Sequence, residues 1–121
     1  MEKEKMIKIT TDDKVSIVEV DIRDPKMLRD KIGGYVEVVH TMTMRNYFRA
    51  IGESENTILL VDEDGILKEL PYNRFGSLMY PGHICGDVLI GKIKGNDVAA
   101  VEDAERMKKK LVEDFRFLKE G

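Results

Sequence analysis

Apolar and polar residues alternate in short runs through most of this chain and settle into a helical stripe only near its end. Residues 6–10 and 15–20 read as two strands around Thr11-Asp12-Asp13-Lys14. In the second strand Val15 and Ile17 share one face, Ser16, Val18 and Val20 the other, and a hairpin follows. Asp24 before Pro25 reads as an N-cap with proline at the first helical position, opening a short helix to Ile32 that Gly33-Gly34 ends. Residues 35–44, YVEVVHTMTM, alternate as one long strand rich in β-branched side chains. In residues 45–56, Tyr47, Phe48 and Ile51 at helical spacing precede a polar exit, which suits a short helical turn or an inserted loop.

Residues 57–61 form a near-continuous apolar strand, and Asp62-Glu63-Asp64-Gly65 predicts a hairpin turn into a strand over 66–70. Pro71 opens a helix over 71–80 with Phe75, Leu78 and Met79 on its buried side, and Pro81-Gly82 breaks it. Residues 84–93 read as a strand interrupted by Gly86 and Gly91. After the linker Gly95-Asn96-Asp97, residues 98–119 carry Val98, Val101, Ala104, Met107, Leu111, Phe115 and Leu118 as the stripe of one long helix. The expected fold is α+β: a mainly antiparallel sheet of five to six strands, two short helices and a long C-terminal helix, in a single domain over 1–121.

Composition narrows the function classes. With 121 residues and 42% hydrophobic content the chain can bury a core. Charged residues reach 36%, but their signs nearly cancel at −3, which argues against a sequence-specific nucleic-acid binder. One cysteine, Cys85, excludes an intrachain disulfide. No apolar run approaches membrane-spanning length, so the expectation is a protein without a membrane partner, in the cytoplasm.

The chemistry-bearing residues are few. Counted from Asp62, the glycine falls fourth and the twelfth residue is Asn73, so a calcium loop of the EF-hand kind fails. His83-x-Cys85 and His40 are too sparse for a zinc site, and Cys85 reads as a small buried hydrophobe. Glu37 alternates with valines and should face solvent, while Asp87 suits a cation, a ligand hydroxyl or the N–H groups of a turn. Lys108-Lys109-Lys110 lies among carboxylates as a solvated helix face. Asn73 and Arg74 lie in the first turn of the helix expected from Pro71. They can hold a phosphate or carboxylate, or they can brace a loop and pair with Asp62 or Asp64. Tyr47 and Phe48 between Arg45 and Arg49 can stack on a base and hold its phosphate, or tuck their segment onto the core. No nucleophile–base pair or metal constellation emerges, so no catalytic residue, metal or cofactor is expected and the chain reads as a non-enzyme.

Three pieces together, GGYVEVV at 33–39, LPYNR at 70–74 and GDVLI at 86–90, resemble a small domain family of unknown function from bacteriophages and bacterial mobile elements. The resemblance covers roughly 24–93 and leaves 97–119 outside. It departs from the family pattern at Phe75-Gly76, where alanine is expected after Asn-Arg. It implies a phage setting in a bacterial host rather than a mechanism. Two functions fit that setting. One is binding of a small anionic ligand, such as a nucleotide signal of host antiviral defence, sequestered by Arg45, Tyr47, Phe48, Arg49, Asn73 and Arg74. The other is a protein-interaction module that blocks or recruits a host protein through an open sheet edge or the long helix. The same helix is the expected surface for a homo-oligomer.

Overall fold

The strand Thr57–Asp62, β4, is buried along its whole length, and the sheet extends to either side of it. The structure, a computed structural model, describes residues 4–121. β1 (Glu4–Ile9) and β2 (Lys14–Val20) form the expected hairpin. Helix α1 (Pro25–Ile32) starts where Asp24 accepts the Lys26 N–H at 3.0 Å and stops at Gly33, whose φ of 93° suits glycine.

The long strand expected over 35–44 stops early. β3 covers Val36–Val39, and helix α2 follows at Met42–Ala50. Thr41 makes the switch: its Oγ1 accepts the Met44 N–H at 3.2 Å and donates to the Met79 carbonyl at 2.6 Å. From there Met44, Phe48 and Ile51 are buried at helical spacing. The alternating His-Thr-Met-Thr-Met is thus a strand end and a capping residue, not more strand. Residues 45–56 resolve into the rest of α2 and a loop.

The hairpin expected at Asp62–Gly65 is also absent, because both sides of β4 are already paired, to β3 and to β5 (Val88–Lys94). Residues 63–69 form consecutive turns instead. Asp62 organises them: its buried carboxylate accepts the Asp64 N–H at 2.8 Å and the Lys68 ammonium at 2.8 Å. Gly65 is required for close approach rather than for a hairpin turn, since a Cβ there would overlap the Cys85 carbonyl oxygen. Helix α3 is the six-residue Arg74–Met79, capped by Asn73 rather than opened by Pro71, and Leu78 lies exposed.

The single long C-terminal helix is replaced by three shorter elements. Gly95, at φ 65°, turns β5 into β6 (Asp97–Ala99), so Val98 lies in a strand. Helix α4 (Ala104–Asp114) begins where Asp103 accepts the Arg106 N–H at 3.0 Å, and the two-residue β7 (Lys119–Glu120) follows. Most of the apolar stripe is still buried, because Val101, Met107, Leu111 and Leu118 pack with Ile7, Ile9 and Val15 of the same chain.

Among the described residues the fold is α+β, with a seven-stranded sheet and four helices. The strand order is β3-β4-β5-β1-β2-β7, with β6 on β5, and every pairing is antiparallel except β2 with β7. One face, with Ile9, Leu59, Val61 and Ile90, is covered by α2, α3 and α4. The other, with Met6, Ile58, Leu60 and Leu89, is covered by α1. No helix of the described residues is long and apolar enough to cross a membrane.

This packing makes Leu111 an intrachain core residue. Leu111→Ala should cost about 2–5 kcal/mol, the range for cavity-forming leucine truncations. Chemical denaturation should register that loss while light scattering shows an unchanged mass.

Candidate functional site

Asn73 lies at the crossing of three segments and is fully buried. Its Nδ2 donates to the Ile9 carbonyl at 3.1 Å and to the Gly86 carbonyl at 3.0 Å, and its Oδ1 accepts the Gly76 N–H at 2.9 Å. Its own N–H donates to the Ile84 carbonyl at 2.8 Å. The side chain caps α3 and joins it to β1 and to the 84–86 segment, leaving no polar atom for a ligand. Gly76 serves this arrangement, since a Cβ there would press on Ile84 at 2.8 Å.

The other residues expected at an anion site are spread among internal contacts. Phe48 is wholly buried in the core, so neither ring face is open to a base. Tyr47 is half-buried, lies 5.1 Å from Phe115 between ring centroids and donates its hydroxyl to Asp114 at 2.9 Å. Burial first, then that hydrogen bond, push its ionisation well above the ordinary tyrosine range. Arg45 and Arg49 both face Glu55, at 3.3 and 3.9 Å. Arg74 pairs with Asp13 at 3.6 Å rather than with Asp62 or Asp64, and its guanidinium sits 4.8 Å from the centre of the Phe117 ring. Asp87 accepts the Thr11 N–H at 3.0 Å and faces Lys8 at 3.6 Å, the turn-bracing choice among its three readings.

A concavity lies elsewhere, beside β3. It holds about 500 Å³ and is bounded by β3, the 62–67 turns and the loop carrying Tyr80, His83 and Cys85. Val39, Val61 and Ile84 belong to the core and to its lining, and Glu37 shares their face of the sheet. Exposed apolar side chains rim it: Tyr80, Ile66 and, at 83% exposure, Leu67. The turns that present Ile66 and Leu67 are held firmly. Lys68 bridges Asp62 to the Gly33 carbonyl at the end of α1 (3.3 Å), and Glu69 adopts a φ of 55°. Cys85 is half-buried in this wall, bridged through its backbone to Tyr72, rather than lost in the core. His40, His83 and Cys85 all line the cleft, yet among the described residues no three His, Cys, Asp or Glu converge as metal ligands.

β3 is also the outermost strand on its side of the sheet. The Glu63 N–H donates to the Tyr35 carbonyl, and the register pairs Glu37 with Val61 and Val39 with Leu59. In an antiparallel ladder the odd-numbered residues of β3 therefore turn their N–H and C=O groups toward β4, and Val36 and Val38 turn theirs outward. No other strand among the described residues pairs with that edge. A row of free backbone donors and acceptors thus runs alongside an apolar-rimmed cleft. Val38, Ile66, Leu67 and Tyr80 were not among the residues expected to bind anything. Two adjacent apolar residues just after Asp-Gly were the available signal, hidden by the expectation of a strand there.

The model of a protein family described as Domain of unknown function (DUF3846) matches residues 4–115. Neither the curated proteins nor the solved structures contain a match to the chain.

The contacts of Asn73 and Arg74 separate scaffold from surface. Asn73→Ala strands two buried carbonyls and an N–H, at roughly 1–3 kcal/mol for each unsatisfied group, so thermal unfolding should show a severe loss or no folded protein. Arg74→Ala removes one exposed ion pair and should cost less than about 1 kcal/mol. A large loss at Arg74 would show that its contacts with Asp13 and Phe117 hold the fold.

Proposed function

Because the chain belongs to the DUF3846 family, which carries no assigned activity, we propose its function from the geometry of the site: it is a non-enzymatic protein-interaction module. It takes up an extended segment of another protein as an additional strand on β3. In the phage setting implied by the three sequence pieces, that segment belongs to a host protein that the module blocks or recruits. The observation that carries this reading is the outward-facing backbone of Val36 and Val38 beside a cleft rimmed by Ile66, Leu67 and Tyr80. Strand addition uses such a pair of features, with main-chain hydrogen bonds supplying affinity and a side-chain pocket supplying selectivity.

The anionic-ligand reading has less support. Asn73 has no free polar atom, Phe48 has no exposed face, and Arg45, Arg49 and Arg74 each stand within ion-pairing distance of a carboxylate. It stays testable by melting the protein with a panel of nucleotides, since a ligand bound only by the folded state raises the melting temperature.

Peptides selected on the purified protein from a random displayed library give the direct test. Val38→Pro removes one outward N–H and leaves the pairing to β4 intact, a position where an edge strand accepts proline. It should weaken the selected peptides about tenfold, from one hydrogen bond of about 0.5–1.5 kcal/mol plus the clash of the ring with the incoming strand. The melting temperature should hardly change. Selected peptides that bind Val38→Pro as tightly as the parent protein would overturn the proposal.

A further inference from the structure

Resting on that reading, we infer that the segment taken up by β3 carries a lysine or arginine opposite Glu37 and an apolar residue opposite Val39. The two positions are two residues apart, with one residue between them. Glu37 and Val39 lie on the cleft face of β3, and Val36 and Val38 on the other, because side chains alternate along a strand. A strand added along the free edge would place its residues directly opposite them. Cross-strand neighbours on one face have Cβ atoms only about 4.5–5.5 Å apart, close enough for opposite charges to attract and like charges to repel.

The charges around the cleft are one-sided. Its ionisable carboxylates are Glu37, Asp62 and Glu63, and no lysine or arginine lines it. Asp62 is already neutralised by Lys68 at 2.8 Å. Glu37 and Glu63 have no ion-pair partner among the described residues, and Glu37 is exposed. Val39 is buried against Val61 and Ile84 at the cleft floor, so the residue opposite it enters an apolar corner. A partner carrying only apolar residues would desolvate the Glu37 carboxylate without compensation.

The same carboxylate argues against a second copy of this chain. Two β3 strands paired antiparallel must match outward-facing residues with one another. Matching Val36 with Val38 sets Glu37 directly against its counterpart. Matching Val38 with Val38 presses Glu37 onto Val39 of the other copy. A charged side chain on an edge strand is also a common guard against self-pairing.

The experiment compares peptide selections on the full chain and on Glu37→Lys. Glu37 is exposed and makes no bond, so the variant should melt like the parent. Peptides from the parent should share Lys or Arg at one position, with an apolar residue two places away. Those from Glu37→Lys should carry Asp or Glu at that same position. A parent-selected peptide should lose about two- to thirtyfold in affinity on Glu37→Lys and regain it when its basic residue becomes glutamate. Peptides that depend on the Val38 N–H yet show no charge preference, or bind both proteins alike, would overturn this inference and leave strand addition standing. Peptides indifferent to Val38→Pro would remove both. A doubled mass in light scattering, restored to the monomer by Val38→Pro, would make a second copy the occupant and overturn the choice of a basic partner.

Discussion

The carboxamide of Asn73 is the contact on which the arrangement of the rest depends. Its three side-chain hydrogen bonds replace what would be one buried donor and two buried acceptors at the junction of β1, α3 and the 84–86 segment. Buried polar groups left unpaired are expensive, so the three segments are held together by the need to satisfy them. Ser77 adds a second tie by accepting the Ile84 N–H at 3.0 Å. Together these contacts fix the wall that carries Tyr80, His83 and Cys85. Gly65, lodged against the Cys85 carbonyl, then sets how close the 62–67 turns can come. The cleft beside β3 is a by-product of this bracing, and its mouth is apolar because Ile66, Leu67 and Tyr80 are left exposed there.

A second constraint explains why the cleft lies at an edge. β4 is buried on both faces and paired on both sides, so the chain has to leave it by a long excursion before it returns as β5. That excursion, residues 63–87, supplies α3 and most of the cleft wall. β3, added on the far side of β4, is left with one free edge. Its four residues and the exposed charge of Glu37 on its cleft face limit its tendency to pair with itself.

The sequence was most legible where local chemistry decides structure. The β1–β2 hairpin, the Asp24-Pro25 start and Gly33 end of α1, and strand β4 follow from alternation, capping and apolar run length. It was least legible where a distant partner decides. Asp62-Glu63-Asp64-Gly65 has the composition of a hairpin turn, but the sides of β4 were taken by β3 and β5, and only the register reveals that. Val101, Ala104, Met107, Leu111 and Leu118 of the stripe are buried, yet β6, α4 and the tail share it, because strand pairing at Val98 and the Asp103 cap outweigh helical continuity. Thr41 ended a strand by capping a helix and bonding to Met79, thirty-eight residues on. For the same reason the role of Asn73 was hidden: it caps α3 from a buried position, and its acceptors at Ile9 and Gly86 are distant or out of register in the sequence.

Backbone amide exchange in β3, measured by nuclear magnetic resonance with and without a selected peptide, tests the central claim most directly. The account predicts an alternation in the free protein: Glu37 and Val39, bonded to β4, exchange slowly, while Val36 and Val38 exchange fast. Saturating peptide should protect Val36 and Val38 and leave Glu37 and Val39 as they were. A bound peptide that leaves the Val38 amide as exposed to exchange as before would contradict strand addition at this edge.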